Sequence, residues 1–305
     1  MIMDSDPALR VTALVTAYHP DARLTSAVLA ALGSCQAVIV IDNTPLGAVS
    51  ASDTLDDPRV LVLRSGHNEG LAAALNAGLD ALGADTDAVL FLDQDSELPP
   101  KLVPRLAQHL LEDPSIGAVG PAPYDAETGE GYERFEGRHD VLADRYSLIT
   151  SGMLVRRSCF LTVPRFRTDF FVDWVDNDFC LKLRRSGVRV VLDRSTRLPH
   201  SIGDGHTHRF LFWKVRVLRY APWRRYWIAR NGLILFRENA AAFPGWGLEY
   251  VFYMARTVVT MAAFGPDRLT HLRAFGTGLA HALSGKVAAR YLPSGTLYDG
   301  DVTPS

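Results

Sequence analysis

A doubly wound, mostly parallel α/β sheet followed by a C-terminal helical extension is the fold class this sequence predicts. Three observations carry it. Short β-rich apolar runs alternate with helical segments over residues 11–192, the pattern of parallel strands joined by crossover helices. The run Ala88-Val89-Leu90-Phe91-Leu92 has the length and unbroken apolarity of a strand buried on both faces, and it leads straight into Asp93-Gln94-Asp95. From residue 209 to about residue 290 the pattern turns helical.

Taken in order, residues 11–15 read as a first strand, 24–32 as a helix, and 37–41 as a second strand ending at Asp42-Asn43. Residues 60–63 give a third strand, 71–82 a helix, and 88–92 the strand that delivers Asp93. A helix over 102–111 stops before Asp113-Pro114, and 116–119 is a short strand. Residues 124–140, rich in Gly, Glu and Asp, predict a mobile loop. Residues 148–155 resume β character, 179–185 are helical with Gly187 as the stop, and 188–192 return to strand. The expected division is a catalytic domain over 8–205, with halves 8–98 and 99–205, then a helical region over 206–292 and a flexible tail over 293–305.

The chain has 305 residues, a formal charge of −2 and 48% hydrophobic residues. That is a folded composition, and it carries no global basic excess that would point to nucleic acid. Charge is uneven, however. Arg194, Arg197, Arg209, Lys214, Arg216, Arg219, Arg224, Arg225 and Arg230 interleave with Trp213, Trp223 and Trp227, which reads either as a solvated helix face or as a surface for anionic lipid headgroups. The stretch 246–264 is interrupted by Glu249 and Arg256, so it predicts an amphipathic helix and not a membrane span. Cys35, Cys159 and Cys180 are odd in number and lack metal-ligand spacing, the usage of buried free thiols. Residues 1–10, with Asp4, Asp6 and Pro7, offer no apolar core of a secretory signal, which predicts a cytoplasmic protein.

Three segments carry chemistry. Two carboxylates at a strand's carboxyl end suit a divalent ion holding a diphosphate, although Asp-x-Asp also marks solvated turns. The stretch from His67-Asn68-Glu69-Gly70 to Asn76-Ala77-Gly78 opens a helix. There Gly70 lets backbone approach a ligand, while Asn68 reads equally as an ordinary N-cap. Asp169, Asp173, Asp176 and Asp178 crowd beside Phe170, Phe171 and Trp174; they read as an acidic helix start or as a general base with a raised pKa.

The order of Thr16-Ala17-Tyr18, Ile41-Asp42-Asn43, Asn68-Glu69-Gly70-Leu71, Leu92-Asp93-Gln94-Asp95-Ser96, Ser151-Gly152, Phe171-Val172-Asp173-Trp174-Val175-Asp176 and Pro199-His200-Ser201 resembles the inverting GT-A glycosyltransferases of family 2. Within them it is most similar to the bacterial rhamnosyltransferases, over residues 10 to 240. The resemblance implies that Thr16, Tyr18, Asp42, Asn68, Gly70, Asn76, Gln94 and Gly152 bind the nucleotide sugar, that Asp93 faces the ribose or the metal, and that Asp95 and His200 hold Mg2+ or Mn2+. It implies Asp176 as general base with Asp173 as second choice, and Trp174, Arg230 and Asn231 on the acceptor side. His67, His206 and His208 take no role from it, the last two being loop residues near the acceptor.

The implied activity is transfer of L-rhamnose from dTDP-L-rhamnose to a lipid-linked or oligosaccharide acceptor in cell-surface polysaccharide assembly, at the inner face of the cytoplasmic membrane. The alternatives are a family 2 transferase using another donor, such as UDP-galactofuranose or UDP-N-acetylglucosamine, and a non-catalytic nucleotide-sugar-binding protein. Asp42-Asn43-Thr44-Pro45 replaces the serine-rich turn of many relatives, which leaves thymine against uracil open.

Overall fold

β1 (Val11–Ala17), α1 (Ala22–Leu32), β2 (Ala37–Asp42), β3 (Val60–Arg64), α2 (Leu71–Asp80) and β4 (Ala88–Asp93) form the first half of the computed structural model. It describes residues 9–305 except 49, 127, 133–139, 201–203, 211–212, 265–266, 299–301 and 304–305; over 204–210, 213–219 and 302–303 only the backbone is described. The four strands are parallel neighbours in the order β3-β2-β1-β4. Leu14, Val15, Val38, Val40, Leu90 and Phe91 are fully buried, which is why these strands read as unbroken apolar runs instead of alternating ones.

After α3 (Leu102–Glu112) come β5 (Ile116–Tyr124), β6 (Leu142–Asp144), β7 (Leu154–Arg156), α4 (Cys159–Thr162), α5 (Val175–Arg185) and β8 (Arg189–Pro199). They complete an eight-stranded sheet ordered β3-β2-β1-β4-β7-β5-β8-β6. β7 runs antiparallel between β4 and β5, and β8 is parallel to β5. Helices cover both faces. On one, Leu24, Val28, Leu106 and Leu110 of α1 and α3 pack on Ala13, Val15, Val40 and Leu92. On the other, Leu75 and Phe179 of α2 and α5 join Leu14, Ile39 and Phe91.

The chain then forms β9 (Asp204–Phe210), β10 (Trp213–Arg219), α6 (Pro222–Asn239), α7 (Pro244–Phe264), α8 (Arg268–Ser284), β11 (Val287–Ala288) and β12 (Val302–Thr303). Ile228, Leu235, Trp246, Tyr250 and Met261 enter the same core as Phe91 and Phe179, so the C-terminal helices seal one face of the sheet. Burying side chains of this size contributes about 1.5–3 kcal/mol each.

Four expectations change. Residues 213–219, inside the stretch read as helix from residue 209, pair antiparallel with residues 204–210. Of residues 148–155, only the last two are strand, because Gly152 in a left-handed turn (φ 83°) interrupts the run. Residues 293–298, read as flexible tail, are held by backbone hydrogen bonds to Asn68 and by Tyr298, whose ring lies 5.7 Å from Trp227. Within the Arg/Trp run, Arg225, Trp227 and Arg230 are buried and so form no surface, while Arg197 is exposed; the side chains of Arg209, Trp213, Lys214, Arg216 and Arg219 lie outside the described residues. Of the predicted mobile loop, residue 127 and residues 133–139 also lie outside them.

Candidate active site

Strands β1, β2, β3, β4, β5 and β8 all end on one rim, where ligands of open α/β sheets bind. Asp93 is the last residue of β4. The turn after it closes on itself: the Asp93 N–H donates to Ser96 Oγ (2.9 Å) and the Ser96 N–H donates to the Asp93 carbonyl (3.1 Å). Ser96 Oγ also shares a 2.7 Å hydrogen bond with Ser151 Oγ, tethering the turn to the segment entering β7. Gln94 Oε1 accepts from the Tyr18 N–H at 2.7 Å, fixing the loop after β1 against it. Asp95 is exposed and ion-paired with Arg23 Nη1 at 3.3 Å.

His200 follows β8, its N–H donating to the Tyr124 carbonyl (2.9 Å) and its carbonyl accepting from Tyr132 Oη (2.7 Å). These bonds bring Nδ1 to 3.9 Å from Asp93 Oδ2. Asp176 stands in the first turn of α5, where its Oδ1 accepts from the Asn177 N–H at 2.8 Å. The entry to that helix is strained, with Asp173 (φ 58°) and Trp174 (φ 67°) both left-handed. Three groups of α6 hold it. Asn231 Nδ2 donates to the Val172 (2.8 Å) and Asp173 (3.3 Å) carbonyls, Trp174 Nε1 donates to the Ile228 carbonyl (3.0 Å), and the Arg224 guanidinium grips the Asp173 carboxylate at 3.0–3.2 Å.

Charge converges on Asp93. Desolvation by the surrounding protein raises its pKa; Asp95 and Asp176 act in the same direction, and His200 and Arg224 oppose them. A cleft carrying three neighbouring carboxylates suits a cation. Among the described residues no three His, Cys, Asp or Glu side chains are drawn close enough to grip an ion, Asp95 being turned toward Arg23. The donor chemistry nonetheless fits Mg2+ or Mn2+, with carboxylate oxygens from Asp93 and Asp95 and one imidazole from His200.

Residues 13–175, more than half of the chain, match glycosyl transferase family 2. The chain belongs to that family. The dTDP-rhamnosyl transferase RfbF of Shigella flexneri is 23% identical over 265 residues, covering 83% of this chain and 88% of that protein. GalNAc-T7, solved with UDP, GalNAc and Mn2+, superposes with a TM-score of 0.51 at 12% identity over 86% of this chain. The chain spans 59% of that protein's length, and the likeness is one of fold. The fold is GT-A with added C-terminal helices, and the activity is glycosyl transfer.

Several expected site residues of this family 2 protein have other duties. Asn76 Nδ2 donates to the Phe166 carbonyl (2.8 Å) and ties α2 to the core. At Gly70 (φ 82°) an added Cβ would lie 2.6 Å from the Phe171 carbonyl oxygen, so the glycine allows a close approach of protein backbone there. Gly70 itself, and not Asn68, takes the N-cap position of α2, while Asn68 Oδ1 accepts from the Gly70 N–H (3.1 Å). A Cβ at Gly152 would meet Leu198 and Pro121 at 2.8 and 2.9 Å, again a packing demand.

On the supposed acceptor side, Arg230 and Asn231 are buried under α8 and the 169–173 loop, and the Trp174 ring packs on Trp246, Tyr250 and Tyr253. They shape the site from behind. Asp42 is buried too, its carboxylate taken by Ser50 Oγ (2.5 Å), Ser52 Oγ (2.6 Å) and the Thr44 N–H (2.9 Å). Burial opposes its ionisation, but those hydrogen bonds prevail and hold its carboxyl below the usual range. Thr16 sits half-buried at the rim, paired in register with Ile41 and Asp93, and Tyr18 is exposed there. His67 lies in the loop after β3, and the side chains of His206 and His208 fall outside the described residues. Sequence reasoning missed Arg224 as a site cation, although it lies in the run Pro222-Trp223-Arg224-Arg225 that was singled out for its charge.

Proposed function

We infer that the protein is an inverting, metal-dependent rhamnosyltransferase that moves L-rhamnose from dTDP-L-rhamnose to a lipid-linked glycan acceptor in cell-surface polysaccharide assembly. The observation that carries this reading is the convergence on Asp93 of Asp95, Asp176, His200 and Arg224, with His200 Nδ1 at 3.9 Å. The donor sugar follows the likeness to RfbF over most of both chains.

Asp93, Asp95 and His200 are the residues that would hold Mg2+ or Mn2+, which when bound supplies positive charge to the departing diphosphate. Asp176 accepts the proton of the acceptor hydroxyl as that oxygen bonds to the anomeric carbon and the bond to the diphosphate breaks on the opposite face. Asp173 is less fit for this role, because both of its carboxylate oxygens are already engaged by the Arg224 guanidinium. Arg224 leaves part of its charge facing Asp93, where the diphosphate gathers negative charge.

The C-terminal helices make the membrane contact in this reading. Outward-facing Leu248, Val251, Phe252 and Val259 on α7 are exposed, and exposed Arg256, Arg268 and Arg273 accompany them, a pairing that suits anionic headgroups.

Substituting Asp176→Asn tests the base directly. Transfer from dTDP-L-rhamnose should fall about a hundredfold or more while nucleotide affinity measured by calorimetry stays within about twofold. Undiminished turnover would remove Asp176 from the role, and turnover of a UDP-sugar with none of dTDP-L-rhamnose would reject the donor.

A further inference from the structure

Residues 293–298 lie across the loops that leave β2 and β3. The Asn68 N–H donates to the Gly295 carbonyl (3.0 Å), and the Leu297 N–H donates back to the Asn68 carbonyl (3.1 Å), so Thr296 is bridged in parallel to Asn68. Gly295 (φ 76°) sits so near the β2 loop that an added Cβ would meet Pro45 Cγ at 2.8 Å. On the far side, Tyr298 Oη donates to the Asp169 carbonyl (3.0 Å) and its ring packs on Phe171 and Trp227. The strap thus joins the corner of the rim at β2 and β3 to the segment that leads into α5.

Within it, Thr296 Oγ1 is buried and makes no hydrogen bond to the protein. Burying an unsatisfied hydroxyl costs free energy, and such groups are rare unless something else completes them. Its neighbour across the bridge is Asn68, in the loop at the carboxyl end of β3, where open α/β sheets take up nucleotides.

We propose that the 293–298 strap is a wall of the nucleoside-diphosphate site and that the Thr296 hydroxyl hydrogen-bonds the bound nucleotide. The proposal rests on the nucleotide-sugar reading above, and it adds a binding element from the last part of the chain. Loss of the hydroxyl should weaken the ligand without weakening the fold, since the group is unsatisfied in the free protein.

Thr296→Val keeps the side-chain shape and removes the hydroxyl. Calorimetric titration with dTDP and with UDP, each with Mn2+, should give an affinity about fivefold weaker than wild type, with a melting temperature equal or higher. On the wild-type chain, the same nucleotides should slow amide hydrogen exchange across residues 293–298. Unchanged affinity in the variant, or unchanged exchange in a wild-type protein that binds nucleotide, overturns the strap proposal. A wild-type protein that binds neither nucleotide overturns instead the nucleotide-sugar reading beneath it.

Discussion

Asn231 shows how a side chain remote from solvent fixes the backbone leading to Asp176. It donates through Nδ2 to the carbonyls of Val172 and Asp173, at the left-handed pair Asp173-Trp174. Backbone in that region costs on the order of 1–3 kcal/mol per residue and persists only where neighbours impose it. Asn231→Ala should therefore lower unfolding free energy by about 1–3 kcal/mol in urea titrations. It should also depress kcat more than KM, because Asp176 loses its bearing at the start of α5. An Asn231→Ala enzyme with wild-type kcat would separate the turn from the chemistry. Arg224 belongs to the same assembly: Arg224→Lys keeps the charge but gives up the two-pronged grip on Asp173, and transfer should drop by about tenfold in steady-state assays.

Helix α8 carries a pH response. His271 and His281 are both held below the ordinary imidazole pKa, by burial first, then by Arg225 for His271 and by Arg230, Arg290 and Lys286 for His281. The unfolded chain thus takes up protons below about pH 6.5 before the folded chain does. Stability should be level above that pH, fall as pH drops through it, and level off again once the lowered folded values are passed. Melting temperatures at pH 7.5 and 5.5 should show the drop, and His281→Gln should shrink it; an equal drop in the variant would absolve this residue. At the same scale the sequence was legible in part. The strands β1, β2 and β4 announced themselves because both faces are buried, whereas the three-residue β6 and β7 are too short to show a period. The hairpin of β9 and β10 did carry a signal, the alternation Lys214-Val215-Arg216-Val217, which the surrounding helical composition masked.

Across the whole molecule, the strand-end rule placed Asp93 and Asp95 on the rim in advance, because topology alone decides where strands end, whereas His200 came from the family resemblance. Asn76, Gly152, Arg230 and Asn231 have packing duties that the sequence did not show, for the opposite reason. Their partners Phe166, Pro121, Asp169 and Val172 are brought to them by packing that no local pattern encodes. At this scale α7 also leaves its apolar side outward, with Phe252 67% exposed and Val259 63% exposed, although no helix among the described residues is long and apolar enough to cross a membrane. Flotation with vesicles should show binding to anionic but not zwitterionic lipid, weakened by salt and by Phe252→Glu. Equal flotation of wild type and variant would take α7 out of the contact.

The reversed strand β7 has a geometric consequence of its own. By standing between β4 and β5 it sets them two strand spacings apart, about 10 Å. The loops that follow β4 and β5 are therefore mounted one strand further apart than they would be if β4 and β5 were neighbours. The interposed strand acts as a spacer whose thickness gauges the aperture, and its loss would narrow the mouth by about 4.8 Å.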